Sequence, residues 1–332
     1  MTPLTQTDDA IVGRIEAAAE RIQRVQKATS AVIFGQEQVI ERTLVTILSG
    51  GHALLIGVPG LAKTLLVETL GKILGLDAKR IQFTPDLMPS DIIGAEVLED
   101  STAGRRSFRF VKGPIFAQLL MADEINRASP KTQSALLQAM QEHHVTVAGQ
   151  RHDVPMPFYV LATQNPLEQE GTYPLPEAQL DRFLLQVDVG YPDQSAERRM
   201  LFATTGTDER RIEQILTAQE LMAIQRLVRH LPVPDKVVEA ILKLARSARP
   251  GTGAGADTDR LIAWGPGPRA SQALMLAVRA KALIDGRLAP SVDDVVALAE
   301  PVLKHRMALT FAARAEGATP TAVINRLAAA LE

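Results

Sequence analysis

The stretch Ala53-Leu54-Leu55-Ile56-Gly57-Val58-Pro59-Gly60-Leu61-Ala62-Lys63-Thr64-Leu65-Leu66-Val67-Glu68-Thr69-Leu70 decides the fold. A short apolar run, read as a buried strand, enters a glycine turn, and the turn opens a helix near Thr64. Gly57 and Gly60 let the backbone curl so that successive N–H groups point at an anion. The helix N-terminus adds partial positive charge. Lys63 is long enough to reach β- and γ-phosphates, and the Thr64 hydroxyl is a ligand for Mg²⁺. Val58, Pro59, Leu61, Ala62 and Leu65 complete the candidate cradle. Ala62 stands where the general pattern has glycine, which is tolerable if that residue keeps a negative φ. The rival reading is an ordinary strand–turn–helix corner.

The chain has 332 residues, long enough for about two domains. It is 46% hydrophobic and 22% charged, an ordinary globular balance. The 36 Lys and Arg against 38 Asp and Glu give a net charge of −2, so no overall basic field points to nucleic acid. Cysteine is absent, which excludes disulfides and thiolate chemistry and fits a reducing compartment. No apolar run reaches membrane-spanning length, and the first residues lack a basic segment followed by an apolar one. A cytoplasmic location is expected.

Further stations lie along the chain. Apolar positions at helical spacing from about Asp9 to Ala28 predict a helix, with Asp8 or Asp9 as its cap. Val32, Ile33, Phe34, Gly35 and Gln36 follow, either a packing contact between helices or an apolar slot for a flat base. Ile81-Gln82-Phe83-Thr84 reads as a strand. The irregular stretch Met88 to Gly113 holds a hairpin about Gly104, whose Arg105, Arg106 and Arg109 are either a contact surface or a solvated face.

Leu119-Leu120-Met121-Ala122 runs into Asp123-Glu124. In a parallel sheet this strand delivers both carboxylates to the edge where the glycine turn lies. Asp123 suits a magnesium shell and Glu124 the polarisation of an attacking water. Ser129-Pro130 starts a helix. His143, His144 and His152 surround a second hairpin about Gly149 and are read as exposed residues rather than metal ligands. The strand Phe158 to Thr163 ends at Asn165, which either orients water or makes the turn before Pro166. Arg182, just before the last strand Leu184 to Val189, is either a surface cation or a finger into a neighbouring subunit's nucleotide. Beyond Tyr191-Pro192-Asp193 helical patterns dominate. Arg269 starts one of these helices, and another opens at Ser291 and contains Pro301.

Taken together, the glycine turn, Asp123-Glu124-Ile125-Asn126-Arg127-Ala128, Ala162-Thr163-Gln164-Asn165-Pro166, Pro174 to Phe183 and Pro268-Arg269-Ala270 resemble the MoxR family of AAA+ ATPases, where alanine before the lysine is also usual. The resemblance implies an α/β fold: an AAA+ P-loop NTPase core with a five-stranded parallel sheet, plus a C-terminal helical lid domain. The expected division is an N-terminal helix in 1–30, the nucleotide domain in 31–191 and the lid in 192–332. By similarity, Lys63 and Thr64 form the Walker A site, Asp123 and Glu124 Walker B, Asn165 sensor 1, Arg182 the arginine finger and Arg269 sensor 2. Arg127 is a candidate second cross-subunit arginine, and Val32 to Gln36 the adenine side. The implied cofactors are ATP and Mg²⁺. The implied assembly is a homo-oligomeric ring, usually hexameric, acting as a chaperone-like motor in maturation or metal insertion with von Willebrand factor A domain proteins. A magnesium-chelatase-like subunit, a DNA-associated motor and a non-hydrolysing nucleotide sensor are the alternatives.

Overall fold

The computed structural model describes residues 6–100, 106–168, 170–206, 212–251 and 255–331. Helices α1 (Gln6–Ser30) and α2 (Glu37–Ser49) lead into strand β1 (Ala53–Ile56) and helix α3 (Lys63–Ile73). Next come β2 (Ala78–Gln82), α4 (Pro89–Ile93), the hairpin β3 (Gly94–Asp100) and β4 (Arg106–Lys112), and β5 (Leu119–Asp123). Then follow α5 (Pro130–Glu142), a second hairpin β6 (His144–Val147) and β7 (Gln150–Asp153), β8 (Tyr159–Gln164), α6 (Glu177–Leu180) and β9 (Leu185–Asp188).

Five strands form one parallel sheet in the order β2-β5-β8-β1-β9. Both faces are covered, so the strands read as continuous apolar runs rather than alternating ones. Alternation reappears in what each residue touches. Leu55, Met121, Leu161 and Val187 pack with α1, α2, α3 and the later helices, whereas Leu54, Leu120, Ala122 and Val160 pack with Leu136, Leu137 and Met140 of α5.

After α7 (Gln194–Thr205) the chain continues as α8 (Ala218–His230), α9 (Asp235–Ser247), α10 (Ala256–Leu261), β10 (Ile262–Trp264), α11 (Pro268–Ile284) and α12 (Val292–Leu303). It closes with β11 (Ala308–Leu309), α13 (Phe311–Ala315) and α14 (Pro320–Ala329). Helix α1 ties this half to the sheet. Ile15, Ala18, Ile22 and Val25 are buried, Arg21 meets Glu220 at 2.7 Å, and the Gln23 amide donates to the Ile284 carbonyl at 3.1 Å. The residues just after α12 clamp the approach to β9: Lys304 pairs with Asp188, His305 bonds the Phe183 carbonyl, and Arg306 holds Asp181.

Several local expectations change. α1 starts at Gln6, so Asp8 and Asp9 lie inside its first turn and do not cap it. Strand β2 lies three residues earlier at its start than the apolar run suggests, over Ala78–Gln82. It is an edge strand, so Lys79 and Arg80 stand in solvent without breaking the ladder to β5, and an apolar criterion misses them. The irregular stretch after Met88 contains the short helix α4. Pro301 sits in the last turn of α12, which ends two residues later. Both hairpins form with the expected antiparallel pairing, though Gly104 and Arg105 lie outside the described residues. No described helix is long and apolar enough to cross a membrane.

Candidate active site

The glycine turn leaves β1 and curls into the N-terminus of α3. Gly57 is required by crowding: a Cβ there would stand 2.6 Å from the Val189 carbonyl oxygen. Gly60 is required by its backbone, with φ at +84°. Ala62 corrects the expectation of negative φ. It takes the left-handed conformation, φ 58° and ψ 20°, as the residue preceding α3. This explains why the general pattern has glycine there, and the alanine carries a strain of about 1 kcal/mol. The Lys63 ammonium donates to the carbonyls of Gly57 and Val58, both at 2.7 Å. Burial pulls its pKa below the ordinary lysine value, while Asp123 and Glu124 act in the opposite direction.

Strands β5 and β8 end beside this loop. A cavity of about 440 Å³ is lined by Pro59 to Leu65, Arg80, Gln82, Asp123, Glu124, Thr163, Gln164 and Asn165. Lys63, Thr64, Asp123, Glu124 and Asn165 therefore meet at one rim, as sheet order and strand polarity require. Asp123 is buried. Its Oδ1 accepts from the Thr163 hydroxyl at 2.5 Å, and its Oδ2 accepts from Arg80 Nη2 at 2.5 Å and Nε at 3.1 Å. Glu124 adopts a left-handed backbone, φ 55°, with its N–H donated to the Thr163 hydroxyl at 2.9 Å. Such conformations persist where the surroundings over-determine them. The Glu124 carboxylate accepts from the Gln82 amide at 2.6 Å and from Arg127 at 3.1 Å. Arg127 thus lies within its own subunit's cluster. Asn165 serves the turn through its carbonyl oxygen, which accepts the Leu167 N–H at 3.1 Å, leaving its NH₂ group to donate.

A second cavity of about 290 Å³ adjoins the loop. Val32, Ile33, Phe34 and Gln36 line it together with Pro59 to Ala62, Leu65, Tyr191 and Pro192. Gly35, φ +67°, sits against Pro192 and Ala196, and Gln36 donates to the Gly190 carbonyl at 2.8 Å. The apolar segment before the loop thus lines a cavity that shares Pro59 to Ala62 and Leu65 with the one around the cradle.

Arg182 and Arg269 are not brought to this rim. They line a different cavity of about 280 Å³, with Gly51, His52, Asp181, Gln272 and Arg306. Arg306, 2% exposed, is fixed by Asp181 at 2.7 Å and by the carbonyls of Leu184, Val302 and Phe183 at 3.0, 2.6 and 2.6 Å. Arg269 approaches the other Asp181 oxygen at 3.6 Å. Among the described residues Arg182 makes no ion pair or side-chain hydrogen bond.

Comparison with known proteins agrees with this layout. The family described as the ATPase family associated with various cellular activities (AAA) matches residues 52–185, and an AAA lid domain matches residues 255–327. The chain is 42% identical to chaperone MoxR1 of Mycobacterium tuberculosis, over 96% of this chain and 85% of the relative. It is 32% identical to protein MoxR of Paracoccus denitrificans, over 87% and 89%. A crystal structure described as a candidate ATPase from Cytophaga hutchinsonii superposes with a TM-score of 0.86 at 35% identity, covering 97% of this chain and 96% of that one. The chain belongs to the MoxR family of AAA+ ATPases.

In this MoxR-family chain the residues suit Mg²⁺ held with a nucleotide. The Thr64 hydroxyl and the Asp123 carboxylate are hard oxygen donors on one cavity wall, and magnesium takes few protein ligands beside phosphate and water. Four functional candidates escape a sequence reading: Arg80, Gln82, Thr163 and Arg306. Arg80 and Gln82 were findable from β2 being the neighbour of β5, because residues two apart on a strand share a face. Nothing local in sequence marks Arg306, whose contacts with Asp181, Phe183 and Leu184 span more than 120 residues.

Proposed function

We propose that this MoxR-family protein is an ATPase that works as a ring. Each nucleotide lies in the Lys63 cradle of one subunit and is met by Arg182 and Arg269 of the next. One observation carries this reading: five polar residues of the cradle share one cavity, while the two remaining arginines line another. Lys63 exchanges its loop carbonyls for phosphate oxygens. Thr64 and Asp123 would hold magnesium, which neutralises charge on the phosphates. Glu124, aimed by Gln82 and Arg127, accepts the proton of the attacking water, and the Asn165 NH₂ group orients it. Arg182 from the neighbour stabilises charge as the terminal P–O bond breaks.

The same reading makes the ring, of six subunits, a cytoplasmic chaperone-like motor. It would act on partner complexes, alongside a von Willebrand factor A domain protein, in their maturation or metal insertion. Its support is the likeness to a relative named as a chaperone. Glu124→Gln is expected to bind ATP like the parent while steady-state turnover falls at least about 100-fold. Parent-like phosphate release overturns the assignment. The same ATP-holding variant is the bait for capturing the partner complex.

A further inference from the structure

The proposed ATP site contains a cation of its own at the position where a nucleotide-bound metal would act. Arg80 reaches from edge strand β2 across to β5, and both its Nε and Nη2 donate to a single oxygen, Asp123 Oδ2. The other carboxylate oxygen is already committed to the Thr163 hydroxyl. Oδ2 thus carries both bonds from the guanidinium, and Oδ1 one from the hydroxyl. The side chain of Arg80 is half exposed, and its Nη2 is steadied by Gln82 Oε1 at 2.8 Å. Gln82 in turn donates to Glu124 at 2.6 Å. A divalent cation drawn to Oδ2 meets the charge of this guanidinium at hydrogen-bonding distance, so each weakens the hold of the other.

We propose that Arg80 is a built-in competitor for the magnesium position. It neutralises Asp123 when no metal–nucleotide is bound and raises the Mg²⁺ concentration that tight nucleotide binding requires. This rests on the ATP-site reading given above. The competition is reciprocal, because two species drawn to one oxygen weaken each other by the same factor. It has a definite sign. Removing Arg80 frees Asp123 for the metal, and in the absence of metal it leaves an uncompensated carboxylate beside the phosphates. The ratio of nucleotide affinity with Mg²⁺ to affinity in EDTA therefore rises when Arg80 is lost. A guanidinium that held phosphate directly in the metal-bound state would make that ratio fall.

The test is equilibrium binding of a fluorescent ADP analogue to the full chain, titrated with Mg²⁺ and repeated in EDTA. The parent, Arg80→Ala, Arg80→Gln and the charge-retaining Arg80→Lys are compared, with thermal melts to check folding. Alanine and glutamine are expected to lower the Mg²⁺ needed for half-maximal tightening by about two- to fivefold, the range of a half-exposed ion pair. Lysine is expected to fall between these variants and the parent. An unchanged or lowered Mg²⁺-to-EDTA ratio in both neutral variants overturns the proposal. Failure of the parent itself to bind the analogue with Mg²⁺ overturns the ATP-site reading instead, so the two failures are told apart.

Discussion

The cavity around the glycine turn and the one around Arg269 differ in how their charge is balanced. Around the glycine turn, Lys63, Arg80 and Arg127 stand among Asp123, Glu124 and Glu168, three cations against three carboxylates. Around Arg269, three guanidiniums, Arg182, Arg269 and Arg306, line a cavity with the single carboxylate of Asp181, which pairs with the latter two. The first site is closed electrically, so a ligand entering it must bring both signs, as a metal-bound triphosphate does. The second carries surplus positive charge on a rigid support, which fits an anion presented from outside. Within the second cavity the labour is divided again. Buried Arg306 satisfies carbonyls of the 181–184 segment and holds it still. Its neighbour Arg182 is thereby presented with no side-chain partner among the described residues.

The sharpest way to break this contrast is Arg182→Ala. Hydrolysis is expected to fall about 1000-fold, the scale of a cationic finger in phosphoryl transfer. Mixing it with Lys63→Ala should restore part of the activity, because intact halves then meet at some interfaces. Mixed rings with no restoration would make the second cavity irrelevant to the first. The same substitution should cost less than about 0.5 kcal/mol of stability, since the Arg182 side chain has no hydrogen-bond or ion-pair partner among the described residues. Arg306→Met is the opposite case. It should lower stability by about 3 kcal/mol in denaturant titration, because it strips Asp181 and several carbonyls of their donor.

His52, in the wall of the second cavity, gives a pH test of comparable size. Its Nδ1 accepts the Val160 N–H at 2.9 Å and its Nε2 meets the Met140 carbonyl at 3.2 Å, which fixes the neutral ring. Burial pushes its pKa down to about 4. The unfolded chain binds the proton near pH 6.5 and the folded chain does not. The stability contribution is therefore whole above about pH 6.5 and is lost as pH falls towards 4. The loss approaches about 3 kcal/mol for this residue. Unfolding curves at pH 7, 6 and 5 should show that slope, shallower in His52→Asn. The smallest effect belongs to the cradle. Ala62→Gly removes left-handed strain but frees the unfolded chain, for a net gain of at most about 1 kcal/mol in the unfolding free energy.

The cradle was legible because its parts are local. Gly57, Gly60, Lys63 and Thr64 lie within eight residues, and Asp123, Glu124 and Asn165 each end an apolar strand. A parallel sheet sends all such ends to one rim, so pattern and polarity together are enough to gather them. What the chain could not reveal was where charged residues on edges and lids go. Lys79 and Arg80 hid β2 because an edge strand need not be apolar. Arg269 and Arg182, separated by most of the helical half, share a cavity only because α11 docks beside the 181–184 segment. The amino-acid order by itself determined the strand–turn–helix corner and the carboxylates at the strand end, since these follow from short-range geometry, while the five-stranded α/β class came through the family resemblance. Only the tertiary structure decided that Arg80 pairs with Asp123, that Ala62 is left-handed, and that Arg182 and Arg269 line a cavity apart from their own cradle. Those facts depend on which elements pack together, and no local spacing encodes that.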